Sequence, residues 1–146
     1  MKFIRTMLLA LLAVVSFQAA AATPAAPQRE EKVVYHVSDS AQASMALGNI
    51  RNHLRASPNV KIVVVANGSG IEFLLDGAKN ANGNPYDATV QELVMRHNVE
   101  FRVCNNSLEG RHIDKSKVLP EATIVPAGVA ELTHLQVQEG YAYIKP

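Results

Sequence analysis

Val60-Lys-Ile-Val-Val-Val-Ala66, running directly into Asn67-Gly68-Ser69-Gly70, decides the fold class of this chain. Apart from Lys61, every residue of the run is apolar, and β-branched residues dominate it. A strand with one wet face alternates apolar and polar residues, whereas a strand covered on both faces reads as a continuous apolar run. This stretch is therefore expected inside a parallel sheet with helices on both sides. The glycines after it mark a tight turn out of the strand.

Working outward from it, the same pattern recurs. Lys32-Val-Val-Tyr-His-Val37 is a second run of β-branched and aromatic residues, followed by the capping cluster Ser38-Asp39-Ser40. Ala43, Leu47, Ile50 and Leu54 then return at steps of four, three and four, which places them on one helical face. Ser57-Pro58-Asn59 breaks that helix before Val60.

Downstream, Ile71 to Leu75 reads as a short helical segment, and Asp76 to Asp87, rich in Gly, Pro and Asn, as a surface loop. Thr89, Val90, Leu93, Val94 and His97 form a second helical stripe with Asn98 as its stop. Strands follow at Glu100–Cys104, Ala122–Val125 and Tyr141–Ile144, with a helix over Gly128–Gln138 between the last two. Five strands alternating with helices predict a three-layer α/β/α fold with a five-stranded, mostly parallel sheet. In such sheets ligands and reactive groups collect at the carboxyl ends of the strands. His36, Asn67, Cys104 and Val125 fall at or near those ends.

At the amino end, Lys2 and Arg5 precede an uncharged stretch from Thr6 to Ala22 that closes on alanines before Thr23-Pro24. This is the order of a secretory signal peptide. Its apolar core, Met7 to Phe17, falls short of the roughly 20 residues a membrane span needs, so no stable membrane insertion is expected after cleavage. The expected organisation is a signal peptide over 1–22, a flexible leader over 23–31 and one domain over 32–146, exported to the periplasm. Losing Lys2 and Arg5 from 14 basic residues, against 13 acidic ones, moves the formal charge from +1 to −1. A mature chain so balanced has no electrostatic footprint for nucleic acid.

Cys104 is the single cysteine of 146 residues, at the end of Val99-Glu-Phe-Arg-Val-Cys104-Asn-Asn-Ser107. An exported protein with one cysteine closes no internal disulfide, so the thiol stays free, pairs with another molecule, or reacts. Asn105-Asn106-Ser107-Leu108 after the strand suggests a helical turn, whose free N–H groups favour an anion and lower a thiol pKa from ~8.5. Strand alternation places Arg102 on the same face as Cys104, in position to help hold a thiolate or persulfide. A second reading stands beside this one, because free cysteine is also among the most buried residue types and packs as a small apolar side chain.

Other constellations carry less. His36, His53, His97, His112 and His134 show no metal-ligand spacing, so no metal and no cofactor is expected. His36 is set apart by its strand-end position, where it can serve as a base or, protonated, lower the thiol pKa. Asn67-Gly68-Ser69-Gly70 matches neither phosphate-loop nor dinucleotide spacing, although its N–H groups are candidate anion donors near the thiol. No serine-hydrolase elbow or heme-attachment motif is present.

Val99-Glu-Phe-Arg-Val-Cys-Asn-Asn-Ser-Leu108, Leu119-Pro-Glu-Ala-Thr-Ile-Val-Pro-Ala-Gly-Val-Ala-Glu-Leu132 and Gln136-Val-Gln-Glu-Gly-Tyr-Ala-Tyr-Ile144 together resemble the DsrE/DsrF-like family of small sulfur-relay proteins. Asn49-Ile-Arg-Asn-His-Leu54 and Asn67-Gly68 add to the likeness, which spans nearly the whole mature chain. The resemblance implies a three-layer α/β/α fold, trimeric or hexameric association, and a Cys104 that takes up sulfane sulfur as a persulfide and passes it on. Its surroundings would be His36, Asn67, Gly68, Arg102, Asn105 and Asn106, and its partner a thiol-bearing sulfur donor or acceptor protein. Such a chain is a sulfur carrier or transferase at most. Relay members work in the cytoplasm, so an exported member parts from their usual partners. The rival expectation is a non-catalytic oligomeric module that binds a small anion or a protein, with Cys104 structural.

Overall fold

The computed structural model describes residues 30–146. The signal peptide expected over 1–22 and the leader from 23 to 29 lie outside the described residues. Glu30 and Glu31, at the end of the expected leader, make surface ion pairs with the domain. Glu30 pairs with Lys61 at 2.8 Å, and Glu31 with His53 at 2.9 Å.

Strands β1 (Lys32–Val37), β2 (Lys61–Ala66), β3 (Glu100–Cys104), β4 (Ala122–Val125) and β5 (Ala142–Ile144) form one sheet in the order β4-β3-β2-β1-β5. Every neighbouring pair is parallel. Helices α1 (Ala43–Ala56), α2 (Asp87–His97), α3 (Asn105–Gly110) and α4 (Gly128–Val137) connect them. Asp39 caps the 3₁₀ turn that opens into α1, its side chain accepting from the Ala41 N–H at 3.0 Å. Asn98 ends α2 in the left-handed conformation at φ 53°, a conformation asparagine tolerates better than most residues. The segment from Gly68 to Leu74 winds as a 3₁₀ helix.

Strand order and handedness together assign the layers. From β1 to β4 the chain steps across the sheet in one direction, so right-handed crossovers put α1, α2 and α3 on one face. After β4 it returns past β1 to form β5, which puts α4 on the other face. Burial follows the same division. Tyr35, Val37, Val64, Phe101 and Val103 pack with Ile50 of α1, Leu93 of α2 and Leu108 of α3. Val34, Val63 and Val65 on the opposite face pack with Leu132 and Leu135 of α4 and with Tyr141. The three-layer α/β/α reading therefore holds, with a sheet that is parallel throughout. It explains why β2 is apolar on both faces.

Gly70 and Gly48 should respond oppositely to substitution by alanine. A Cβ on Gly70 would lie 2.2 Å from the Val37 carbonyl oxygen. Gly70→Ala is expected to cost about 1–3 kcal/mol or more of stability by overpacking. Gly48 lies within α1 and meets nothing within 4 Å. Gly48→Ala should stabilise the domain by about 0.5–1 kcal/mol. Urea titration of the two variants checks both signs.

Candidate functional site at the end of the third strand

Cys104 closes β3 and is the N-cap residue of α3. Its neighbour in the sheet is Val125, the last residue of β4. The chain leaves these two adjacent strands in opposite directions, after β3 to α3 on one face and after β4 to α4 on the other. Adjacent strands whose connections diverge leave a crevice at their carboxyl ends, the topological switch point where open α/β sheets place their ligands. Cys104 stands at that point.

Two helix starts converge on its sulfur. The N–H groups of Asn106 and Ser107, in the first turn of α3, face it from one side, and the N–H of Gly128, the first residue of α4, from the other. The Asn106 N–H also reaches the Pro126 carbonyl at 3.4 Å. The sulfur thus occupies the place of a capping oxygen. No side-chain capping bond is formed, but N–H groups so aimed favour the charged form of the group they face. Gly128 permits the approach. A Cβ there would sit 3.2 Å from the Cys104 Cβ, 3.6 Å from its Sγ and 3.1 Å from the Asn67 Cβ.

The Ser107 side chain adds a donor. Its Oγ accepts the Gly68 N–H at 2.9 Å, which leaves its own proton free to donate, and the hydroxyl favours the charged form of the thiol. Gly68 presents that N–H from φ +57°, and a Cβ there would meet the Ser38 carbonyl at 3.0 Å. Cys104 is only 5% exposed, and burial pushes its thiol up. The Ser107 hydroxyl and the N–H groups of Gly128, Ser107 and Asn106 outweigh burial and hold the thiol below its ordinary value.

The other residues expected at the site, His36 and Arg102 among them, take partners other than the sulfur. His36 contacts Tyr143 Oη through Nδ1 at 2.6 Å and Asn67 Oδ1 through Nε2 at 3.0 Å. Both ring nitrogens are thereby occupied, so the ring is not set as a base on Cys104. Asn67 is brought against Gly128 by its Cβ, and the Gly68 N–H is directed at Ser107 rather than at the sulfur. Arg102 shares the Cys104 face as alternation requires. Its guanidinium, however, pairs with Glu131 of α4 and with Glu100 at 2.7 Å, and it is not among the groups that lower the thiol. Two carboxylates outcompete a single sulfur for that fork.

Asn105 donates its amide to Glu109 at 2.7 Å, while its Oδ1 is buried without a hydrogen-bond partner among the described residues. Asn106 contributes its backbone rather than its side chain. No three His, Cys, Asp or Glu side chains among the described residues are grouped to hold a metal.

Ser107, Gly128 and Tyr143 were not expected at the site. Ser107 carries a readable signal, since it stands three residues after the N-cap, the spacing at which a capping side chain reaches back. Gly128 stands where a helix opens straight after a strand, a place for close backbone approach. Tyr143 carries no local signal.

A model of the DsrE/DsrF-like family matches residues 25–146. With the parallel three-layer fold and the strand-end cysteine, this settles the class: the chain belongs to the DsrE/DsrF-like family. Among solved structures it is similar to the protein of unknown function MTH1491 from Methanobacterium thermoautotrophicum. That match has 28% identity and a TM-score of 0.70, over 80% of this chain and 100% of the other. It is also similar to the ychN protein from E. coli, with a TM-score of 0.62 over 81% of this chain and 100% of that one. At 16% identity the second likeness is one of fold alone. No curated protein matches the chain.

The site has a pH signature of definite sign. A thiol lowered in the folded state stabilises the fold fully above its unfolded pKa of ~8.5 and loses that contribution as pH falls through the folded value. Wild type should therefore gain stability relative to Cys104→Ala as pH rises from neutral toward about 9. Ser107→Ala should flatten that difference. Denaturant midpoints of the three proteins across pH report the trend.

Proposed function

We propose that this protein is an exported, periplasmic sulfur carrier in which Cys104 takes up sulfane sulfur as a persulfide and passes it to a partner thiol. One observation carries the reading: the cysteine that ends β3 is a thiol whose charged form is favoured by the N–H groups of two helix starts and by a serine hydroxyl. Membership of the DsrE/DsrF-like family supports a function of the sulfur-relay type. The export signal read at 1–22 supports the location. No helix among the described residues is long and apolar enough to cross a membrane.

The chemistry is a sulfur transfer without net redox change. The Cys104 thiolate attacks the terminal sulfur of a donor persulfide, R–S–SH. A new S–S bond forms at Cys104 as the donor's S–S bond breaks, leaving Cys104–S–SH and the donor thiolate R–S⁻. The reverse exchange onto an acceptor thiol returns Cys104 to its thiolate. The donors that favour the thiolate suit the persulfide anion equally. A single cysteine serves, because the partner supplies the second thiol, and homo-oligomers of the trimeric or hexameric kind would display several such sites.

A specific observation favours one rival. At 5% exposed, Cys104 is packed as tightly as a structural residue, consistent with a non-catalytic module that binds a small anion or protein at the strand ends. Intact mass after incubation with glutathione persulfide separates the two. The carrier gains the mass of one sulfur atom, reductant removes it, and Cys104→Ala gains nothing. Equal uptake by Cys104→Ala, or none by wild type, sinks the carrier reading in favour of the module.

A further inference from the structure

His36 touches no sulfur, yet its contacts lead to one. With the amide oxygen of Asn67 facing Nε2, the neutral ring that satisfies both partners is the Nε2–H tautomer, donating to Asn67 and accepting from the Tyr143 hydroxyl. The ring is thus fixed from both sides, by β5 through Tyr143 and by the end of β2 through Asn67. Asn67 is in turn fixed in its backbone, its N–H donating to the Val37 carbonyl at 3.1 Å and its carbonyl accepting from Gly70 at 2.9 Å. The next residue, Gly68, turns through positive φ and delivers its N–H to Ser107 Oγ.

We propose that His36 is a positioning residue for Cys104: its ring clamps the Asn67 side chain, the clamped Asn67–Gly68 turn holds the Gly68 N–H on Ser107, and Ser107 is thereby held with its hydroxyl toward the sulfur. An oxygen that already accepts one hydrogen bond is restricted in rotation, so its proton is directed at the remaining acceptor. Hydrogen bonds run from Tyr143 through His36 to Asn67 and from the adjacent Gly68 to Ser107, three residues after Cys104, across the carboxyl ends of four of the five strands. Arg102, held by Glu100 and Glu131, takes no part in them.

The role proposed for His36 deepens the carrier reading and rests on it. It is tested on the full chain by titrating the ultraviolet absorbance of the Cys104 thiolate, with Cys104→Ala as the blank. Ser107→Ala and His36→Phe should each raise the midpoint by about half a pH unit or more, because hydrogen bonds to the charged form favour it. The double variant should move less than the sum of the two, since both act through one hydroxyl.

His36→Gln, whose amide can still donate to Asn67, should retain most of the wild-type midpoint, and covers the case of a His36→Phe chain that fails to fold. An unmoved midpoint in His36→Phe or in Ser107→Ala, full additivity of His36→Phe with Ser107→Ala, or a His36→Gln midpoint raised as far as that of Ser107→Ala overturns the role. Persulfide uptake by wild type is scored separately. Its absence alongside coupled shifts removes the carrier reading and leaves the coupling of His36 to Ser107 measured.

Discussion

The handedness of parallel crossovers is the constraint on which the site depends. Right-handed connections carry α1, α2 and α3 to one face as the chain steps from β1 to β4, and the return to β5 carries α4 to the other. Were β5 added beyond β4 instead, α4 would join the first three helices and the starts of α3 and α4 would not approach Cys104 from opposite faces. The reversal also concentrates the small core of the second face under a single helix, where Leu132 and Leu135 cover Val34, Val63 and Val65. One topological decision thus produces both the second layer and the site.

Local physics then sharpens what topology places. Helix starts leave N–H groups without partners, and the starts of α3 and α4 meet across one sulfur. Burial opposes a charge at Cys104, while aimed donors favour it. The donors win because the backbone itself supplies most of them, at no cost in side-chain ordering. Gly128 suits the close approach of the second helix, since a Cβ there would crowd Asn67 and Cys104 at 3.1 and 3.2 Å.

Much of this was legible in the sequence, and the part that was not has a common cause. The limits of β3 and β4 and the stop at Asn98 follow from local apolar runs and turn residues, and they match. The strand-end address of Cys104 followed from the same patterns. Arg102 was placed on the correct face, but its partner Glu131 lies 29 residues along on a helix whose docking no local pattern reveals. His36 was similarly placed near the thiol, while Tyr143, which occupies its second nitrogen, is 107 residues distant. Periodicity reports which way a side chain points, and only the assembled fold reports what it meets there. Ser107 was the exception, readable from its spacing to the N-cap.

The contact between His36 and Tyr143 joins the first strand of the domain to the last. β5 pairs directly with β1, so the earliest-made strand waits for the latest-made before the sheet is complete. Pairings of such separation carry the largest loop-closure cost in the sheet, since more than a hundred residues lie between the partners. A chain released before Tyr143 would carry Cys104, Ser107 and both helix starts, yet hold them without the strand that anchors His36. The end of the sheet that carries Cys104 is thus braced through His36 by a strand that enters the sheet only after α4 has crossed its second face.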